Sequence, residues 1–234
     1  MVKRMLATLV LDLRLQWRNG FYYASAFVLT VLILLLRWLP NLDWGWVLPV
    51  FVLGNMLLNG FYFIGGLVLL EKGEGTLEAQ VVTPLRDGEY LASKVLSLAL
   101  LSTVENGLVM VLLYGPRFAL LPALLGIVTA SVLYSLAGFV AVARYDSINE
   151  YLLPSMGYTL LLFLPLLDYL GIWSSPIFYL HPLQASLTLL TGAFQPLAGW
   201  QWLYGVLYAA LWIGLMGWLS RRAFARFVVA RQGV

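Results

Sequence analysis

Six apolar stretches, each long enough to cross a bilayer, restrict this chain to one class of fold. They cover residues 21–39, 46–70, 90–114, 118–142, 151–170 and 200–219. A spanning helix needs about 20 consecutive apolar residues. In hydrocarbon every backbone N–H and C=O must be satisfied within the segment, so isolated spans of this length are helices. A soluble alternative is excluded by composition: 62% of the 234 residues are hydrophobic and 11% charged, with a mean hydropathy of +0.87. No single soluble core hides that much apolar surface. The expected fold is an all-α integral membrane protein with six transmembrane helices, in one domain over residues 1–234.

The basic residues set the expected orientation. With the N-terminus in the cytoplasm, Lys3, Arg4, Arg14, Arg18, Lys72, Arg86, Lys94, Arg144, Arg221, Arg222, Arg226 and Arg231 fall inside, and only Arg37 and Arg117 fall outside. Twelve against two is a strong bias under the positive-inside rule, so both termini are expected in the cytoplasm of a multi-pass protein. The net charge of +3 then reflects topology. Nucleic acid is not an expected partner, because no basic cluster carries interleaved exposed aromatics.

The first twenty residues lack the pattern of a cleaved signal peptide. Met5, Leu6, Leu9, Val10, Leu13 and Trp17 instead recur at helical spacing, with Lys3, Arg4, Asp12, Arg14 and Arg18 largely opposite. This is the pattern of an amphipathic helix over 3–20 lying on the membrane surface, ended by Asn19-Gly20. A loose N-terminal arm is the alternative. Between the last two runs, residues 171–199 contain no Lys, Arg, Asp or Glu. An aqueous loop of that length would carry charge, so the region reads as partly re-entrant, with a short helix over 182–190. An interfacial loop anchored by Trp173, Tyr179 and Trp200 is the other reading.

Enzymatic chemistry finds little footing. There is no cysteine, and His181 is the single histidine, so a zinc protease helix with two histidines one turn apart is ruled out. No Gly-Xaa-Ser-Xaa-Gly elbow is present. No Gly-Lys pair occurs either, which excludes a phosphate-cradling P-loop. A secondary transporter would need its own ion-coupling site, usually at repeat-related broken helices, and the two halves share no convincing repeat.

Between the second and third runs lies the one strongly charged interruption, Glu71 to Leu91, reading EKGEGTLEAQVVTPLRDGEYL, with Glu71, Glu74, Glu78, Asp87 and Glu89. The succession Glu71-Lys72-Gly73-Glu74-Gly75-Thr76-Leu77-Glu78, Val82-Thr83-Pro84-Leu85 and Glu89-Tyr90-Leu91, with Lys94 just beyond, resembles the first cytoplasmic loop of type-2 ATP-binding-cassette exporter permeases. The amphipathic leading helix, the six runs and the uncharged outer region match that family's layout, so the resemblance covers most of the chain. Its residue-level match is confined to about twenty-five positions around the loop.

The resemblance implies a membrane-spanning exporter subunit with no catalytic residues or metal of its own. ATP and Mg would be bound by two copies of a cytoplasmic ATPase subunit, and a second permease copy or a sister permease would complete the pathway within membrane lipid. It further implies that the 3–20 segment is an elbow helix and that 71–89 holds a coupling helix docked on the ATPase. Thr76 is suited to cap such a helix, and Pro84 to end it. Leu77, Val81 and Val82 would be buried anchors, with Glu71, Glu74, Glu78 and Arg86 at the rim and Gly75, Thr83 and Leu85 completing the motif.

Other polar residues fall inside the runs. Asn55 and Asn59 share a helical face, as do Ser131 and Ser135. Glu105 and Asn106 interrupt the third run, and Asp168 lies near the outer end of the fifth. An ionisable group in the membrane is costly and faces protein or water, so Asn55, Asn59, Glu105, Asn106 and Asp168 are candidate pathway residues, Glu105 foremost. Interhelical hydrogen bonding is the competing role. The second cytoplasmic crossing, 143–150, holds Arg144, Asp146, Asn149 and Glu150, with Asp146 or Ser147 placed to cap the fifth helix. This loop resembles that of a drug-export subgroup of the family that includes fluoroquinolone export systems. The aromatic content and the scarcity of charge within the runs make the expected cargo hydrophobic or amphipathic.

Overall fold

The computed structural model describes residues 2–39, 41–77 and 86–226, and among them every regular element is helical. Eight residues of the acidic loop, Glu78 to Leu85, lie outside that set; they include the expected Glu78, Val81, Val82, Thr83, Pro84 and Leu85. The helices are α1 (Val2–Arg18) and α2 (Phe21–Arg37), then α3 (Trp44–Gly73), α4 (Asp87–Leu113) and α5 (Leu120–Val142). They are followed by α6 (Ile148–Leu162), α7 (Leu164–Tyr169), α8 (Pro182–Thr191) and α9 (Gly199–Phe224).

Four of these, α3, α4, α5 and α9, are long and apolar enough to cross a membrane, and α1 with α2 adds a fifth if that bent pair is counted as one span. Two expected spans fall short for physical reasons. α2 has 17 residues, about 25 Å at 1.5 Å per residue against roughly 30 Å of hydrocarbon. The run 151–170 divides at Phe163, because Pro165 at the start of α7 has no N–H for the carbonyl one turn earlier.

α1 and α2 meet at 61°, where Gly20 takes a left-handed φ of 79°. α1 does not present all its polar residues to water, as its pattern alone suggests. Asp12 and Gln16 are buried while Leu6, Val10, Leu11 and Trp17 are about half exposed. The helix lies lengthwise along the first turns of α4, with Arg4 beside Glu89 (3.7 Å), Asp12 beside Ser93 (2.7 Å) and Gln16 beside Ser97 (2.7 Å).

α5 is the central helix and packs on α3, α4, α8 and α9. Its glycines permit backbone contact. A Cβ on Gly138 would stand 2.6 Å from the Phe61 carbonyl oxygen, and one on Gly126 would stand 2.7 Å from the Leu190 amide nitrogen. Facing Gly138, α3 contains a π-helical turn, Leu57–Tyr62, whose Gly60 is equally close to Tyr134. Small residues that let backbones meet are the usual means of joining helices in lipid. The long uncharged segment 171–199 contains a packed helix, α8. α8 is capped by His181, whose Nδ1 accepts the Leu183 N–H at 3.2 Å, and it buries Leu183, Ala185, Ser186, Leu187, Leu189 and Leu190. Thr129 and Ser186 share a hydrogen bond of 2.9 Å across the α5–α8 contact.

Replacing Gly138 by alanine forces a methyl against backbone that cannot move aside, and is expected to cost about 2 kcal/mol. Gly157→Ala on α6, where a Cβ meets nothing within 4 Å, is expected to be neutral. Thermal unfolding of the detergent-solubilised protein separates the two; equal melting temperatures contradict the packing described.

Candidate functional site

α3 has 30 residues and α4 has 27, so at 1.5 Å per residue they exceed a hydrocarbon core of roughly 30 Å by about 15 and 10 Å. The excess length accommodates a charged centre where the two helices meet the acidic loop. Lys94 is fully buried there. Its Nζ lies 2.5 Å from Glu71 Oε1 and 3.0 Å from Asp12 Oδ1. The remaining oxygens are also satisfied: the Tyr90 hydroxyl donates to Glu71 Oε2 (2.6 Å) and the Ser93 hydroxyl to Asp12 Oδ2 (2.7 Å). One cation thus joins α1, the end of α3 and the start of α4. Full hydrogen bonding of both carboxylates is what makes so buried a pair tolerable.

A second polar cluster lies deeper along the same seam. Asn59 Nδ2 donates to Glu105 Oε2 at 2.6 Å, and the Ser25 hydroxyl of α2 donates to the same carboxylate at 2.5 Å. One step outward, Asn55 Nδ2 donates to Asn106 Oδ1 at 3.1 Å. All five side chains are at least nine-tenths buried. Four of the expected pathway residues are therefore brought together, but they bind α2, α3 and α4 to one another. Asp168 stands apart at the end of α7, where it accepts from Gln184 Nε2 at 3.3 Å.

Of the expected loop residues, Glu74 and Arg86 are exposed as rim positions should be. Two others are corrected. Glu71, 3% exposed, faces Lys94 inside the protein, and Leu77, 2% exposed, packs into the chain's own core. Both follow from the loop leaving α3 by folding back onto the bundle: Gly75 takes φ 66° and the Thr76 hydroxyl donates to the Glu71 carbonyl at 3.2 Å. In the second loop, Ser147 caps α6 by accepting the Glu150 N–H at 3.3 Å, with Asn149 and Glu150 in the first turn. Asp146 instead meets Lys72 at 3.3 Å. Lys72 also donates to the carbonyls of Ala143 (2.8 Å) and Tyr145 (2.7 Å), joining the end of α3 to this second loop.

Sequence reasoning missed Asp12, Gln16, Ser25 and the pairing role of Lys72. Asp12 and Gln16 are four apart on one helical face, a spacing that signals a shared partner.

The fluoroquinolones export permease protein family matches the chain over residues 3–232. The chain belongs to this family. It is 34% identical over 234 residues, covering 99% of each chain, to the fluoroquinolones export permease proteins of two Mycobacterium tuberculosis strains, CDC 1551 / Oshkosh and ATCC 25618 / H37Rv. The drug-export resemblance of the 143–150 loop is thereby borne out, and the family is that of a multi-pass membrane permease rather than a catalytic enzyme.

In this permease Lys94→Met leaves two buried carboxylates without their cation. It is expected to cost about 3 kcal/mol or more. Adding Asp12→Asn and Glu71→Gln removes the uncompensated charges, and the triple variant is expected to unfold at a higher temperature than Lys94→Met alone. A triple variant less stable than the single would show that the charges are not what Lys94 holds.

Proposed function

We propose that this chain is the membrane subunit of an ATP-driven exporter that moves amphipathic, drug-like molecules out of the cytoplasm or inner leaflet. The observation that carries the reading is the end-to-end relationship, 34% identity over 99% of each chain, to proteins named as fluoroquinolones export permeases. In this reading α2 and the broken pair α6–α7 complete six crossings of the cell membrane, with α1 as a cytoplasmic elbow and both termini inside. α8 dips into the outer leaflet.

Energy enters through the 71–91 loop. ATP and Mg bind two cytoplasmic ATPase subunits, and closure of that pair moves the loops of two permease chains together, by homodimerisation or beside a sister permease. Alternating access follows when the spans re-pack. Two features of the permease suit this task. The loop springs from the Lys94 centre, so a displacement there bears on α1, α3 and α4 at once, and Lys72 ties the same end of α3 to the 143–150 loop. Substituting the apolar loop residues, rather than the buried Leu77, is the sharper way to detach a partner.

Co-expressed with a candidate ATP-binding-cassette ATPase subunit from its own genome, the wild-type chain is expected to co-purify with that ATPase. Val81→Asp with Val82→Asp is expected to reduce the recovered ATPase at least fivefold while leaving the chain monodisperse. Transport by the purified chain alone on an ion gradient would overturn the reading.

A further inference from the structure

The polar clusters on the α3–α4 seam are filled by their own hydrogen bonds, so cargo must be sought elsewhere. Between α3, α5, α6 and α9 lies a cavity of about 200 Å³. Its walls are Phe61 and Tyr158, with ring centroids 6.4 Å apart and planes inclined at 60°, together with Ala137 and Ala141 of α5 and Met216 of α9. This is an apolar and aromatic space of the kind that receives ring systems. One charged residue completes the wall: Arg144, at the cytoplasmic end of α5.

Arg144 is exposed and its guanidinium sits 6.0 Å from the Tyr145 ring centre. No carboxylate among the described residues pairs with it. Of the two acids nearby in the sequence, Asp146 meets Lys72 at 3.3 Å and Glu150 accepts the Asp146 N–H at 3.3 Å. A cation without an anion, at the rim of an aromatic cavity, is complementary to a planar ligand bearing an acidic group at one end. The volume also limits the fit. It is smaller than the roughly 300 Å³ at which drug-sized ligands are enclosed, so the site holds a fused ring system and leaves other substituents outside.

We propose that this cavity is the cargo-loading site of the chain. It takes a planar aromatic carboxylate, packed against the Phe61–Tyr158 pair with its carboxylate on Arg144. The inference rests on the export reading above, since fluoroquinolones are bicyclic aromatic acids. It adds a position for the cargo and a chemical requirement, the free carboxylate, to that reading. Ala137 and Ala141 set the width of the slot, and entry is from the inner-leaflet side, where Arg144 stands.

The test is equilibrium binding to the full-length chain in phosphatidylcholine nanodiscs, followed by fluorescence anisotropy of a fluoroquinolone and of its methyl ester. The wild type is expected to bind the acid at least tenfold more tightly than the ester. Arg144→Gln is expected to remove that difference by weakening the acid alone, and Arg144→Lys to retain part of it. Ala137→Phe, which narrows the slot, is expected to weaken both ligands at least fivefold. Equal binding of acid and ester by the wild type overturns the proposal, as does an acid affinity unchanged in Arg144→Gln or a lack of saturable binding. Reconstitution with the ATPase separates this from the export reading. If the complex transports the acid while Arg144→Gln binds normally, the site is wrong and the reading stands; if Arg144-dependent binding occurs without ATP-driven transport, the site stands and the reading fails.

Discussion

The seam between α3 and α4 is held by polar contacts at three depths, and the rest of the bundle is arranged around it. Glu71 meets Lys94, Asn59 meets Glu105 and Asn55 meets Asn106, a succession in which one number falls as the other rises, as antiparallel neighbours require. Lipid offers no hydrophobic drive to bring helices together, so hydrogen bonds and close packing must do it. The seam also recruits its neighbours through the same atoms. Ser25 brings α2 to the Glu105 carboxylate, and Asp12 brings α1 to Lys94. On the far side α5 is joined to α3 by backbone contact at Gly138, and α8 to α5 at Gly126.

The spans were legible because lipid selects directly for apolar length, and the cores of α3, α4, α5 and α9 fall where the runs predict. The division of the fifth run was visible in Pro165, whose effect is hidden when residues are weighed only by hydropathy. What the sequence could not disclose is which polar residues face one another. Asp12 on an amphipathic helix and Lys94 at a span's cytoplasmic end each look like solvated charges when their elements are considered singly. Only the third dimension shows that each is the other's solvent. The same holds for Leu77, whose apolar character fits a partner's cleft and its own core equally well.

The division of labour within the chain follows from these contacts. Lys72, at the end of α3, links the start of the acidic loop to the 143–150 loop. α6 and α9 expose much of their apolar surface: Leu153 and Leu160 are more than 70% exposed, and only 17% of the α9 span is buried. In the proposed alternating-access cycle the hydrogen-bonded seam would carry the loops, with the cavity beside it between α5, α6 and α9.

Uptake into inverted membrane vesicles containing the chain and its ATPase tests this account most directly. ATP is predicted to drive accumulation of a fluoroquinolone inside the vesicles, abolished when ADP replaces ATP and insensitive to collapse of the proton gradient. Accumulation that proceeds without ATP and stops when the gradient is dissipated would contradict it.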